Sequence, residues 1–317
     1  MSQPLHGIGV LDLSAVLSKA NPRLVYVSIT GFGQSGPYAD GRVYDAVIQA
    51  VSGISVAHPN QATGEPTLLA TAVCDKLSAL TAAQAICAAL FARERHGGHG
   101  IKLELSMLDA ALAFQWPDAM YNHTFLIEPP PDAPEFGVQQ KPYRTRNGHV
   151  AAMTPQADEF AALCQGLGRA DLPDHPRFAN LEARRRHLDV LLPILDALIA
   201  GHDTDELAAT LRAAGVPIGR VNRRAEVLRD PQVLHNRALV KIDHGSAGRV
   251  RLARSAARFM GGDLPLHGGG AAPGRTLARH PAATGLRRGQ DRRRAALSIG
   301  PGAPAPIKKR VFVEECG

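Results

Sequence analysis

The 317-residue sequence predicts an α/β protein, on three observations. Leu24 to Thr30 is a short, nearly continuous apolar run of the kind that forms a strand buried on both faces. Ile101-Lys102-Leu103-Glu104-Leu105 alternates with the period of a strand. Between and after them lie Ala- and Leu-rich stretches of helical length.

Taken in order, Gly7 to Leu13 (GIGVLDL) is expected as a first short strand and Leu24 to Thr30 as a second. A helix is expected from about Thr71 to Arg95, stopped by Gly97, Gly98 and Gly100. The alternating run after Gly100 then hands over to an apolar, Ala-rich helix from Ser106 to Phe114. Pro117, Pro129, Pro130, Pro131 and Pro134 mark a connector. Beyond it a strand over Gly148 to Met153, and helices over Gln156 to Leu167, Leu181 to Ala200 and Thr204 to Ala214, describe a smaller α+β domain.

One carboxylate stands at the strand-to-helix junction, where open α/β sheets keep their chemistry. Ser106-Met107-Leu108-Asp109 fits the capping box, in which Ser106 accepts from a free backbone N–H and Asp109 returns a bond to the Ser106 amide. From spacing alone Asp109 reads as a structural cap.

Several ordered blocks add a second reading. Asn21 to Tyr38 (NPRLVYVSITGFGQSGPY) resembles a signature block of the class III CoA-transferases, the family of the formyl-CoA and carnitine CoA-transferases. Tyr44 to Gly53 (YDAVIQAVSG), Gly97 to Asp109, Pro142 to Thr145 (PYRT), Gly215 to Gly219 (GVPIG) and Asp230 to Val233 (DPQV) resemble further blocks of that family, in its order. So many blocks in order are far more specific than any one motif. The resemblance implies a Rossmann-like large domain, an interlocked homodimer, acyl-CoA and a carboxylate acceptor as substrates, no tightly bound cofactor and no metal. It makes Asp109 the catalytic nucleophile, a role compatible with capping. It also places CoA contacts at Val16, Gly31, Gly33 and Gly36. The related α-methylacyl-CoA racemases, an alternative reading, carry a proton-transferring histidine at the position of Tyr44 here. A phenol with an ordinary pKa near ~10 cannot replace imidazole at neutral pH, so transferase chemistry is preferred.

The departures are informative. After Gly7 to Leu13 the family continues through strand–helix units and an ENFRPG element that touches the nucleotide, whereas here Ser14 to Ala20 runs straight into Asn21. The large domain is therefore read as truncated internally, with an exposed sheet edge and exposed apolar helix faces, and an inactive remnant becomes a competing expectation. The expected organisation is a truncated large domain over 1–135, a smaller domain and return segment over 136–258, and a Gly/Pro/Arg-rich tail over 259–317 without order.

Charge and cysteine content narrow the field. The net charge of +7 is concentrated in the tail, where ten Lys and Arg face four acids between Gly261 and Gly317. A basic tail without interleaved aromatics reads as solvated chain, so no nucleic-acid partner is expected. Cys74, Cys87, Cys164 and Cys316 are widely spaced, with no CxxC pair, which suggests neither a disulfide framework nor a zinc site. Met1 to His6 has no basic and apolar leader pattern, and no ~18-residue uninterrupted apolar window occurs, so a cytoplasmic protein without a membrane partner is expected. Gly31 to Gly36 satisfies G-x-G-x-x-G, but Pro37 to Gly41 follows it with turn residues, which argues against a dinucleotide fingerprint. His123 and His149 show no ligand spacing and read as ordinary surface or core histidines.

Overall fold

The computed structural model describes residues 8–11, 21–57, 59–60, 63–126, 141–245, 247–258 and 310–315. In chain order the elements are β1 (Ile8–Leu11), β2 (Val25–Thr30), α1 (Asp45–Ser52), α2 (Ile54–Ala57), α3 (Val73–Arg95), β3 (Lys102–Ser106) and α4 (Met107–Gln115). Then come β4 (Tyr143–Arg144), β5 (His149–Ala152), α5 (Ala157–Gly166), α6 (Leu181–Arg186), α7 (Leu188–Ala200), α8 (Thr204–Ala213) and β6 (Ile218–Arg220). The last are α9 (Arg224–Val227), α10 (Pro231–His235), β7 (Leu239–His244), β8 (Gly248–Ala253) and β9 (Arg310–Glu315). They fall into two compact units, one running to Pro117 and resuming at Val240, the other Asp118–Leu239. The boundary expected at 135 lies in 127–140, outside the described residues, and 240–258 group with the first unit.

In the first unit four strands line up as β1-β9-β2-β3. β2 and β3 are parallel, with Thr30 opposite Ser106. β9 runs antiparallel to both β1 and β2. This corrects the expectation of a tail without order throughout, because Arg310–Glu315 is a strand paired with both β1 and β2. The physical reason is local: Val311-Phe312-Val313 is a run of strong strand formers, and an unpaired edge offers it a ready ladder. The rest of the tail up to 309, and Val16, lie outside the described residues.

α3 packs on β2, β3 and α4. It is long and apolar enough to cross a membrane by length and composition, a test that the packed helix of a sheet unit also passes. Val25 and Ala89 are buried between helix and sheet, while Ile48, Ile54, Cys74 and Ala111 form a second small core under the helices. The β2–β3 pair begins at a close backbone approach. Gly100 donates to the Pro22 carbonyl at 2.7 Å, and a Cβ there would stand 2.0 Å from the Leu24 carbonyl oxygen. Gly100→Ala is therefore expected to cost about 3 kcal/mol, since backbone rather than a flexible side chain must yield. Urea denaturation followed by circular dichroism measures it.

The second unit wraps a three-stranded antiparallel sheet, β4-β5-β6, with helices. Phe160, Phe178, Ile199 and Leu211 are fully buried in its core. Arg184 is buried with them, its guanidinium 4.5 Å from the Phe160 ring centroid and donating to the Pro155 carbonyl at 2.9 Å. Burial pulls its pKa down from the usual arginine value, a cost that the ring and the carbonyl offset. The helix expected over Leu181 to Ala200 is two helices. His187 leaves helical geometry at φ −121° and ψ 35°, and its Nδ1 lies 2.8 Å from the Ala183 carbonyl oxygen.

Candidate active site

The carboxyl ends of the parallel strands β2 and β3 are adjacent, and the two segments that follow them meet there. From β2 the chain enters Gly31 to Gly36, with Gly33 at φ 110° and Gly36 at φ 102°, conformations that suit glycine alone among common residues. Gly31 lies against Val43, where a Cβ would come within 2.2 Å of Cγ1. From β3 the chain turns at once into α4. The Gly31 carbonyl joins the two segments, accepting from the Leu108 N–H at 3.0 Å and from Ser106 Oγ at 3.3 Å.

Ser106 is the N-cap of α4, and its hydroxyl accepts from the Asp109 N–H at 3.2 Å. The other half of the capping box is not formed. The Asp109 side chain is exposed, and no hydrogen bond or ion pair engages its carboxylate among the described residues. The carboxylate therefore stands unused in the first turn of a helix, next to its positive end. Ser106→Ala is expected to cost about 1 kcal/mol through loss of the cap, while truncating Asp109 should cost less, because only its backbone takes part. Thermal unfolding of the two variants separates these contributions.

Two amides in the first turn of α4 are already committed, Leu108 to the Gly31 carbonyl and Asp109 to Ser106 Oγ. The Gly33 N–H is also spent, on Thr30 Oγ1 at 3.0 Å. Among the described residues the N–H groups of Gln34, Ser35 and Gly36 make no hydrogen bond, so the loop after β2 is where donors remain. Gln34 is held over β2 by a 2.7 Å bond from its Nε2 to Ser28 Oγ. The chain makes turns from Pro37 to Asp40 and starts its next helix only at Asp45, as the sequence predicts for a loop that is not a dinucleotide fingerprint.

Tyr44 and Asp45 are the positions that bear on racemase against transferase, and of the two only Asp45 has a structural role. Tyr44 is 75% exposed at the N-cap of α1. Asp45 Oδ2 accepts from the Asp75 N–H at 3.0 Å, capping α3, whose own N-cap Ala72 has no side chain for the task. Gln49, nearly fully buried, accepts from the Leu69 N–H at 2.8 Å through Oε1. Neither tether was legible in the sequence beyond the block in which it lies, because Asp75 and Leu69 are distant along the chain. Burial, with Asp45 and Asp75 adding to it, pushes the Cys74 thiol up to about 11, which keeps it protonated and unreactive. Among the described residues no group of three His, Cys, Asp or Glu is placed to hold a metal. His123 and His149 are both exposed.

The model of CoA-transferase family III matches residues 10–273. The chain belongs to that family. The human succinyl-CoA:glutarate CoA-transferase is 27% identical over 260 residues, covering 80% of this chain and 57% of the relative. The acetyl-CoA:oxalate CoA-transferase of Acetobacter aceti is 32% identical over 265 residues, covering 78% of this chain and 63% of the relative. The crystal structure of a CAIB/BAIF family protein from Brucella suis superposes with a TM-score of 0.65 at 28% identity, covering 83% of this chain and 69% of that one. This member of the family spans about three fifths of the length of the curated relatives it matches.

Proposed function

We propose that the chain transfers CoA between an acyl-CoA thioester and a carboxylic acid, with Asp109 as nucleophile. The observation that carries this reading is an exposed carboxylate with no side-chain partner, in the first turn of α4, where two adjacent parallel strands end. An Asp109 oxygen attacks the thioester carbonyl and expels CoA thiolate, leaving a mixed anhydride. The thiolate attacks the aspartyl carbonyl, releases the donor as its carboxylate and forms an aspartyl-CoA thioester. The acceptor carboxylate then displaces thiolate from that thioester, and thiolate attack on the acceptor's acyl carbonyl in the new anhydride frees Asp109. Each tetrahedral oxyanion needs donors, and the open amides of Gln34, Ser35 and Gly36 are the groups this chain can offer. CoA is a substrate here, and no resident cofactor enters the scheme.

A homodimer in the cytoplasm completes the reading. The exposed Leu80 and Phe91 of α3 and Phe114 of α4 leave apolar helix surface that a second copy would cover. Racemase chemistry is not supported, because Tyr44 is an exposed phenol and Asp45 is spent on α3. An inactive remnant is the one rival with an observation of its own, the segment missing between Ala20 and Asn21. Hydroxylamine trapping decides: incubation with millimolar acyl-CoA and hydroxylamine should convert Asp109, and no other acid, to a hydroxamate visible by peptide mass spectrometry. An unmodified Asp109 would favour the remnant.

A further inference from the structure

The PYRT and GVPIG segments have no part in the chemistry assigned to Asp109, yet the second unit brings them together. Arg144 ends β4 with Thr145 just beyond it, and Arg220 ends β6, the strand that follows GVP. Between them opens a cavity of about 570 Å³ whose charged lining is Arg144, Arg146, Arg220, Arg223 and Arg224 against a single acid, Glu226. It includes neither Asp109 nor any residue of Gly31 to Gly36.

The floor is rigid. Thr145 Oγ1 and Thr204 Oγ1 lie 2.6 Å apart, and Asn147 Oδ1 accepts from both the N–H and the hydroxyl of Thr204, at 3.0 and 2.8 Å. Asn147 Nδ2 in turn donates to Asp203 at 2.8 Å. Two of the arginines are anchored by acids on or beside α8 and α9. Arg220 Nη1 donates to both Asp205 oxygens at 3.0 and 3.2 Å while Nη2 lies 3.4 Å from Glu226, and Arg146 lies 3.7 Å from Asp203. The other three, Arg144, Arg223 and Arg224, have no carboxylate partner among the described residues. Arg144, Arg223 and Arg224 are exposed, so their guanidinium groups are open to an anion from solvent. Guanidinium forks match phosphate oxygens two at a time. A lone carboxylate is satisfied by one fork, so three such arginines lining one cavity of ligand size suit a group with several anionic oxygens.

We propose that this cavity is a binding site for a diphosphate-bearing small molecule, held by Arg144, Arg223 and Arg224 over the Thr145–Thr204–Asn147 floor. Isothermal titration of the full-length protein with inorganic pyrophosphate, at about 0.1 M ionic strength to suppress loose surface binding, tests it. Saturable binding is expected. The Arg144→Ala/Arg223→Ala double variant should weaken it at least tenfold, while Arg185→Ala, an exposed arginine of the same unit outside the cavity, should leave it unchanged. Circular dichroism of both variants confirms that they fold. ADP bound tighter than pyrophosphate would assign a nucleotide as the source of the diphosphate; equal or weaker binding would assign the diphosphate alone, and either supports the site. The proposal is overturned if pyrophosphate does not bind, if Arg185→Ala weakens it as much as the double variant does, or if succinate binds more tightly than pyrophosphate.

Discussion

Replacing Asp109 by alanine is expected to abolish acyl exchange while leaving the protein folded. The magnitude follows from the scheme, in which every covalent intermediate is carried on this one carboxylate. Removing a nucleophile that acts as a unit with its site costs on the order of 10³-fold or more. The fold should hardly notice, because the N-cap bond runs from the Asp109 backbone N–H to Ser106 Oγ and survives truncation of the side chain. The measurement is CoA exchange between labelled acyl-CoA and free acid at millimolar acyl-CoA, with the melting temperature recorded beside it. Retained exchange would reduce Asp109 to a structural residue, whereas lost exchange with a collapsed melting temperature would leave its role in the fold to be separated by Asp109→Asn.

The second large effect is expected in affinity for CoA itself. A CoA site draws on cationic and backbone donors to its phosphates and on a slot for adenine. Charge-assisted hydrogen bonds contribute about 1.5 to 3 kcal/mol each. The family's nucleotide-contacting segment has no counterpart between Ala20 and Asn21, and β9 occupies the place beside β2. Loss of two or three such bonds costs about 3 to 9 kcal/mol, enough to turn a micromolar complex into a millimolar one or weaker. Calorimetric titration of the intact protein with CoA should therefore give a dissociation constant of millimolar order at best, and slow turnover at ordinary CoA concentrations. A low micromolar value would mean that other residues have rebuilt the site.

The two results together separate the functional readings. Weak CoA binding with a trapped Asp109 describes an impaired transferase. Weak binding with an untouched Asp109 describes a remnant.

Much of this was legible in the order of residues. The strand at Val25–Thr30, the helix at Val73–Arg95 and the junction at Ser106 were set by local periodicity, by the glycines after Arg95 and by a capping serine, all of which act within a few residues of themselves. The nucleophile candidate was visible through its block. The function of the neighbouring residues was not, because it rests on partners far away in the chain. Nothing in the sequence near Asp45 says that it caps a helix beginning at Val73, and nothing near Gly31 says that its carbonyl takes the amide of Leu108. The break at His187 was equally hidden, since Leu181 to Ala200 keeps helical periodicity across it.

Tertiary structure alone decided three matters. It brought Arg310–Glu315 to the edge of β2 from nearly three hundred residues away, a pairing that only chain folding can specify because strand edges carry no address. It spent the amides of Leu108, Asp109 and Gly33 and left those of Gln34, Ser35 and Gly36 open, a division that depends on contacts between the two segments. It gathered arginines from either side of the second unit into one cavity. The sequence by itself determined which segments become strand or helix and which carboxylate begins α4, because those follow from short-range sterics and hydrogen bonding. Which groups are free, spent or gathered depends on contacts between distant segments, and these exist only once the chain has folded.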